Sequence, residues 1–259
     1  MSDPRPPARD WDAKTYDRVS SPQFEWGRDV LDRLVLEGNE VVLDAGCGSG
    51  RVTALLLERL PAGRVVAVDA SPSMVEKARD ALGDERVDYV VSDLLDIELA
   101  EPVDAVLSTA TFHWVLDQPR LFRRLHAVVR PGGQLVAQCG GEGNVERFLS
   151  EVEDVMAAEP YSEHFEDWAR PWHFASPATT ALALGDAGFT DVECWLEPRE
   201  AVLDDPRDFV TTVCLSPHLD HLPRDLRDQF VEAVIERSGT PLTLDYVRLN
   251  MNARKPADA

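Results

Sequence analysis

One short glycine-rich segment constrains the fold of this chain more than any other feature. Residues 41–50 read VVLDAGCGSG, an apolar run that ends in Asp44 and continues into glycines at positions 46, 48 and 50. Glycine tolerates positive φ and lets the backbone approach a ligand where a Cβ would obstruct it. The segment therefore predicts a buried strand followed by a loop whose main chain contacts a nucleoside.

The spacing of these glycines argues against a dinucleotide. A dinucleotide fingerprint reads G-x-G-x-x-G and uses its last glycine to pack the following helix closely on the strand. Here Arg51 stands at that last position. The helix predicted from about Val52 to Leu60 would not pack in the dinucleotide manner, and a different nucleoside ligand is favoured.

Further segments follow the glycine loop in an order that indicates alternating strands and helices. They are a strand ending in an acid (Arg64–Asp69), a helix start (Ser71–Met74), the end of a third strand (Val90–Leu94), a fourth strand (Val103–Ser108) and a turn into a fifth (Arg130–Gly133). With Asp44–Gly50, they resemble the class I S-adenosylmethionine (SAM) dependent methyltransferases. The resemblance implies an α/β fold: a Rossmann-like, seven-stranded, mostly parallel sheet with helices on both faces and a helical lid inserted before the last strand.

The same resemblance implies SAM as the cofactor and S-adenosylhomocysteine as the product. An acid at the end of the second strand, Asp69, can accept both ribose hydroxyls. By resemblance Asp93 accepts from the adenine amino group, Met74 flanks the adenine and Ser108 lies near the sulfonium. The full set of expected cofactor-binding residues is Asp44, Gly46, Cys47, Gly48, Asp69, Ala70, Met74, Ser92, Asp93, Leu94 and Ser108. Helix capping by the acids and core packing by Met74 are the alternatives.

The segment after the fourth strand contains the candidate catalytic residue. Open α/β sheets bind ligands at the carboxyl ends of their strands, and His113 follows the fourth strand there. Its imidazole could position the acceptor or act as a general base for a hydroxyl acceptor. The alternative is that His113 only satisfies neighbouring backbone groups.

The pair His113-Trp114 narrows the resemblance further. Together with Trp11, Tyr16, Gln23, Trp26 and the motifs above, it is similar to the trans-aconitate methyltransferase group, whose members esterify small carboxylic acids. The substrate-binding residues expected on this basis are Tyr16, Gln23, Trp26, His113, Trp114 and Arg147. An arginine is the natural clamp for a carboxylate, and the candidates in the second half of the chain are Arg147, Arg170, Arg199 and Arg248.

The acceptor is the open question at this stage. The leading hypothesis is methyl transfer to oxygen of a small molecule, most simply a carboxylate such as trans-aconitate, which is already ionised at neutral pH. A hydroxyl or amine of a secondary metabolite is the second hypothesis, and a non-catalytic SAM-binding protein is the third. A nicotinamide oxidoreductase is the least favoured because of the glycine spacing.

Composition excludes several classes of partner. The formal net charge of −21 argues against nucleic acid, whose affinity comes from Lys and Arg neutralising phosphates. The four cysteines show no C-x-x-C and no histidine cluster at ligand spacing, so neither a metal site nor a disulfide framework is predicted. We find neither a signal-peptide pattern nor an apolar run long enough for a bilayer. We expect a cytoplasmic monomer or homodimer acting on a small molecule, with no membrane partner.

The chain of 259 residues, 44% hydrophobic, is long enough for one substantial domain. We expect a disordered tail over residues 1–10 and a single domain over residues 11–259. Within it, residues 11–36 form an N-terminal cover, with a helix predicted over Gln23–Leu36. Residues 140–175 and 204–238 form lid or specificity segments. Strands are predicted over Asp191–Leu196 and Leu242–Ala253.

Overall fold

The fold is described by a computed structural model over residues 21–203 and 205–258. The predicted tail, Trp11 and Tyr16 lie outside these residues, and so does the side chain of Gln23. The strands are β1 (Val41–Ala45), β2 (Arg64–Asp69), β3 (Val87–Val91), β4 (Val103–Thr109), β5 (Val129–Gly140), β6 (Thr190–Leu203) and β7 (Leu242–Arg254). The α-helices are α1 (Ser21–Leu31), α2 (Arg51–Arg59), α3 (Pro72–Leu82), α4 (Gln118–Val128), α5 (Glu146–Met156), α6 (Pro177–Asp186), α7 (Pro206–Phe209), α8 (Ser216–His221) and α9 (Arg224–Ser238).

The strands form one seven-stranded sheet in the order β3-β2-β1-β4-β5-β7-β6. Strands β1 to β5 pair in parallel, and β7 is antiparallel to both β5 and β6. The order reverses between β1 and β4, and this is the switch point at which such sheets bind ligands. The predicted mostly parallel, Rossmann-like fold is confirmed.

The central strands are apolar along most of their length because helices cover both faces of the sheet. In β1, Val42 and Leu43 are fully buried but belong to different hydrophobic clusters, one on each face. The acid that ends the strand, Asp44, is the polar exception and is itself buried. The apolar strand β1 thus places the carboxylate of Asp44 at the carboxyl edge of the sheet.

Side-chain caps begin the helices that follow several strands. The Ser71 hydroxyl accepts from the backbone N–H of Met74 at 3.3 Å, and the Asp117 carboxylate accepts from that of Arg120 at 3.0 Å. A proline follows each cap within the first turn, where its missing N–H costs nothing. The sequence pattern Ser-Pro or Asp-x-Pro therefore sets where α3 and α4 start.

Several predicted boundaries were wrong. The first helix ends at Leu31 rather than Leu36, since the next residues turn away and Val35 pairs with the Gln134 side chain. The third strand ends at Val91, before the predicted Leu94. Strand β6 runs to Leu203 instead of Leu196, because pairing with β7 continues as far as Leu242. The predicted turn at residues 130–133 is a bulge within β5.

The segment inserted before the last strand is helical, as predicted. Helices α7 to α9, with a π-helical turn over Val210–Cys214, lie between β6 and β7. They pack with α5 and with the first half of β7 into a separate hydrophobic cluster that includes Trp26, Phe148, Phe230 and Tyr246. Within the described ranges, we find that no helix is both long and apolar enough to span a bilayer.

Candidate active site

The three glycines of the loop after β1 all adopt positive φ, at 88°, 53° and 85° for Gly46, Gly48 and Gly50. A Cβ at Gly46 would overlap the Thr111 side chain, and one at Gly50 would lie 3.1 Å from the Cβ of Ala78. A Cβ at Gly48 would meet no protein atom within 4 Å. Two of the glycines therefore serve packing, while Gly48 borders open space where a ligand can approach the backbone.

Asp44 is a buried carboxylate with one unsatisfied oxygen. Its side chain is 1% exposed, Oδ2 accepts from the Thr53 hydroxyl at 2.7 Å, and Oδ1 has no hydrogen-bond partner among the described residues. Burial, with a further contribution from the charge of Asp69, raises the pKa of Asp44 to about 6 against the hydrogen bond from Thr53. A buried carboxylate in this state favours a cationic ligand.

Asp69 lies at the end of β2, as predicted, and closes the glycine loop. Its two oxygens accept from the backbone N–H groups of Gly48 and Ser71, each at 2.9 Å. The residue is half-buried. A carboxylate has about four lone-pair sites, so Asp69 can accept from ligand hydroxyls as well as from the backbone.

The predicted adenine-binding residues lie around the ends of β2 and β3. Ala70 and Asp93 are half-buried, and Met74 is buried at the start of α3. The Asp93 carboxylate accepts from the backbone N–H of Leu95 at 2.8 Å, and the backbone N–H of Ser92 donates to the carbonyl of Asp69 at 3.0 Å. The second of these bonds holds the two strand ends side by side.

The remaining predicted cofactor residues are buried. Leu94 and Cys47 are 5% and 7% exposed, and burial raises the pKa of the Cys47 thiol well above its usual value. The Ser108 hydroxyl, at the end of β4, donates to the carbonyl of Ala45 at 2.6 Å and so links the carboxyl ends of β4 and β1. Ser108 thus lies beside the glycine loop.

A left-handed residue directs the chain from β4 toward that loop. Ala110 has a φ of 56°, and its N–H donates to the carbonyl of Gln138 at 2.7 Å. Thr111 follows and covers Gly46, while its hydroxyl donates to the carbonyl of Thr109 at 3.0 Å. A non-glycine residue in this conformation carries a strain cost that the surrounding contacts must offset, and the result is that residues 111–114 lie over the carboxyl edge.

His113 is buried at this edge as a neutral imidazole. Its side chain is 9% exposed, and Nδ1 accepts from the backbone N–H of Gly140 at 3.3 Å. Burial, followed by the positive charge of Arg248, lowers the pKa of His113 to about 3. With Nδ1 as the acceptor, the hydrogen-bond pattern assigns the proton to Nε2, which makes His113 a hydrogen-bond donor and a poor base at neutral pH.

Aromatic rings surround His113 and form a surface that we call the aromatic wall, defined as Trp114, Trp172 and Phe174. The ring centroids of Trp114 and Phe174 lie 5.0 and 5.7 Å from that of His113, and Trp172 lies 5.9 Å from Trp114. The backbone N–H of His173 donates to the carbonyl of His113 at 2.7 Å and fixes the segment. The indole N–H of Trp172 is buried and has no acceptor among the described residues.

Arg248 on β7 is a buried cation beside this wall. It is 3% exposed, and its Nε lies 3.5 Å from Oε1 of Gln138. The guanidinium carbon lies 5.1 Å from the ring centroid of Trp26 and 5.8 Å from that of Tyr246. In the sheet register Arg248 pairs with Gly140, the residue that holds His113. Arg248 and His113 therefore both lie next to Gly140 at the end of β5.

Comparison with known proteins assigns the family. A model of the methyltransferase domain matches residues 43–137, from β1 into β5. An uncharacterized methyltransferase of Schizosaccharomyces pombe is 31% identical over an alignment that covers 95% of this chain and 98% of that protein. The chain belongs to the class I SAM-dependent methyltransferases.

Two further comparisons describe the relatives of this methyltransferase. The trans-aconitate 2-methyltransferase of an Azoarcus species is 30% identical over 236 residues, which cover 86% of this chain and 87% of that protein. The structure of Haemonchus contortus phosphoethanolamine N-methyltransferase 2, bound to phosphomonomethylethanolamine and S-adenosylhomocysteine, matches with a TM-score of 0.62 at 18% identity. The match covers 94% of this chain and 57% of that chain, and at this identity it supports the fold alone.

The other arginines expected as carboxylate clamps pair with acids; Arg147 and Arg170 are exposed, and Arg199 is half-buried. Arg147 is 67% exposed in its side chain and pairs with Asp245 at 3.4 Å and Glu200 at 3.7 Å. Arg170 pairs with Glu153. Arg199 pairs with Asp29 at 2.9 Å and Glu197 at 2.7 Å. The position of Arg147 thus gives no support to its predicted substrate contact.

The N-terminal cover is described only in part. Trp26 on α1 is buried, and its ring packs edge-on against Tyr246 with centroids 4.9 Å apart. This contact places α1 over the middle of β7, where Arg248 lies. Tyr16 and the side chain of Gln23 lie outside the described residues, so their predicted substrate contacts stay predictions.

Sequence reasoning did not single out Thr53 or the burial of Arg248. A signal for Arg248 was present: from position 248 onward, β7 alternates Arg, Asn, Asn and Arg with Leu, Met and Ala. That period of two places a polar row on one face of a strand. No local signal shows that Thr111 covers Gly46 or that Phe174 packs on Gly140, because these contacts depend on how loops fold back onto the sheet.

Proposed function

We propose that this methyltransferase transfers the methyl group of SAM to a carboxylate oxygen of a small molecule. The observation that carries the proposal is that a buried arginine, Arg248, is the cross-strand partner of Gly140, whose N–H binds the neutral histidine His113 at the carboxyl edge of the sheet. The 30% identical trans-aconitate 2-methyltransferase supports a carboxylic acid as the acceptor.

The residues around the glycine loop fit SAM. Asp44 Oδ1 is buried without a donor among the described residues, which suits the ammonium group of the methionine part. Gly48 borders open space, and the Asp69 carboxylate beside it can accept from ribose hydroxyls. Ala70, Met74 and Asp93 would flank the adenine from the ends of β2 and β3, and the sequence-predicted cofactor set is retained as part of the proposal.

When bound, SAM supplies an activated methyl group: the new O–C bond forms as the S–C bond breaks, and the bonding electron pair stays on sulfur. A carboxylate acceptor is ionised at neutral pH and needs no base. This requirement matches a site whose histidine has a pKa lowered to about 3 by burial and the charge of Arg248, and is a poor base at neutral pH. The residues of the chain therefore have to bind and orient the acceptor and exclude water, which are large contributions to rate by themselves.

Two groups are suited to orient the acceptor. Arg248 offers a planar set of N–H donors that matches a carboxylate. His113 offers its Nε2–H, because Nδ1 is already bonded to Gly140. Together they would bind one carboxylate beside the loop that holds the cofactor, with Trp114 packed against His113.

Matched acceptors test the proposal. We would incubate the protein with SAM labelled with ¹³C in its methyl group and with a series of acids, each paired with the alcohol and the amine of the same skeleton. The proposal expects a labelled methyl ester from at least one acid and no labelled product from the alcohol and the amine of the same skeleton. Mild alkali should remove the label from the ester. Methyl ethers or methylamines as the main products would overturn it in favour of a hydroxyl or amine acceptor. SAM binding without transfer to any acceptor would favour a non-catalytic SAM-binding protein.

A further inference from the structure

We infer that the preferred acceptor carries a single carboxylate on a flat, apolar body, an aryl or conjugated monocarboxylic acid, and is not a tricarboxylate. The inference rests on the proposed function and specifies the substrate class of the same site. Three features carry it: the aromatic wall beside His113, the pairing of the nearby arginines and the charge of the whole chain.

The aromatic wall is adjacent to the proposed carboxylate site. Gly140 is the cross-strand partner of Arg248, and a Cβ at Gly140 would lie 2.6 Å from the ring of Phe174. Directly paired residues present their side chains on the same face of the sheet. Phe174 therefore packs on the face that carries Arg248, while its ring also contacts His113.

Two of the three rings of the wall are partly accessible, and Trp172 is buried. Trp114 and Phe174 are half-buried, although each packs against Trp172, at centroid distances of 5.9 and 6.2 Å. Such faces favour flat apolar groups through stacking and burial. They offer little to the second and third carboxylates of a tricarboxylate, which would lose hydration against aromatic carbon.

The neighbouring arginines are engaged with acids. Arg199 contacts Asp29 and Glu197, and Arg147 contacts Asp245 and Glu200. A multiply charged acceptor that recruited either arginine would displace a protein carboxylate. Arg248, by contrast, is buried and lies across the sheet from Gly140, whose N–H binds His113.

The net charge of the whole chain also favours an acceptor with a single negative charge. At −21 the protein repels anions, and the repulsion grows in proportion to the charge of the acceptor. A trianion is repelled three times as strongly as a monoanion at the same position. An acceptor with one negative charge, placed beside Arg248, is therefore repelled least by this protein.

The test compares three acids: trans-3-phenylacrylate, hexanoate and trans-aconitate. We expect kcat/KM for the aryl acid to exceed that for trans-aconitate by at least tenfold, with hexanoate between them. A preference for trans-aconitate would overturn the inference while it supports the proposed function. A preference for hexanoate over the aryl acid would overturn the inference that the preferred acceptor has a flat body. If none of the three is esterified, the inference fails, and the matched alcohols and amines decide whether the proposed function fails with it.

A variant locates the preference at the wall. Phe174→Leu should raise KM for the aryl acid at least fivefold more than it raises KM for trans-aconitate. Trp195→Leu is the control, because that exposed ring stacks on Arg33 and lies away from His113. If Phe174→Leu lowers SAM affinity or thermal stability, Trp114→Leu is measured in its place. An equal rise in KM for both acids, or no change for either, would contradict the inference.

Discussion

Nδ1 of His113 accepts a hydrogen bond from the backbone N–H of Gly140, 3.3 Å away. This bond fixes the imidazole as the tautomer with its proton on Nε2. Because burial and the charge of Arg248 lower the pKa of His113 to about 3, the ring stays neutral across the range in which enzymes are assayed. His113, a candidate base in the sequence, is therefore a hydrogen-bond donor in the structure.

The rate of methyl transfer to a carboxylate should show no titration of His113. At saturating SAM, we expect kcat/KM for the acid acceptor to vary less than twofold between pH 6.5 and 8.5. His113→Gln keeps a donor near that position and should retain activity within about tenfold, a loss of about 1.4 kcal/mol. An acid limb near pH 6.5 that disappears in His113→Gln would identify a base and contradict this assignment.

Asp44→Asn should separate cofactor binding from stability. The pKa of Asp44 is raised to about 6, so the protein without cofactor loses stability as pH rises from about 4 to about 6. The variant should be more stable than the parent at pH 8, by about 1–3 kcal/mol, with no such gain at pH 4. Its affinity for SAM should fall at least tenfold, about 1.4 kcal/mol.

Thermal unfolding and calorimetric SAM titration at both pH values measure these effects. In the parent, SAM affinity should weaken as pH falls below 6, because protonated Asp44 no longer attracts the ammonium group. Equal SAM affinity in parent and variant at pH 8 would show that Asp44 does not contact the cofactor.

Two glycines of the same loop should respond differently to alanine. Gly50→Ala places a Cβ against Ala78 at a φ of 85°, so it should cost about 2–4 kcal/mol of stability. Gly48→Ala adds a methyl group to open space at a φ of 53°, so it should cost only about 1–2 kcal/mol. Yet Gly48→Ala should bind SAM at least tenfold more weakly. Unimpaired SAM binding by folded Gly48→Ala would mean that the ligand does not approach this glycine.

Asp69→Ala tests the ribose contact. We expect SAM affinity to fall at least tenfold, an effect of about 1.4 kcal/mol. Asp88→Ala is the matched control, since Asp88 forms a surface pair with Arg64 at 3.1 Å on the adjacent strand. If both substitutions alter SAM affinity equally, the effect belongs to the sheet edge and not to the ribose site.

The sequence was sufficient for the fold because strand ends are local signals. An apolar run that stops at an acid places Asp44 and Asp69 at the carboxyl edge, and the seven-stranded sheet confirms that placement. The burial of Arg248 was harder to predict, since it depends on Trp26 of α1 covering the middle of β7. Contacts between segments far apart in the chain, such as Phe174 on Gly140, have no signature within either segment.

The most direct measurement for the proposed function is acceptor kinetics of Arg248 variants. With a carboxylate acceptor, Arg248→Met should raise KM at least 100-fold, about 2.7 kcal/mol, while SAM affinity stays within threefold and reports an intact fold. Arg248→Lys keeps the charge without the planar donor set, so its KM should lie between that of the parent and that of Arg248→Met. KM values equal to those of the parent, in variants that still bind SAM, would contradict the account that Arg248 holds the carboxylate.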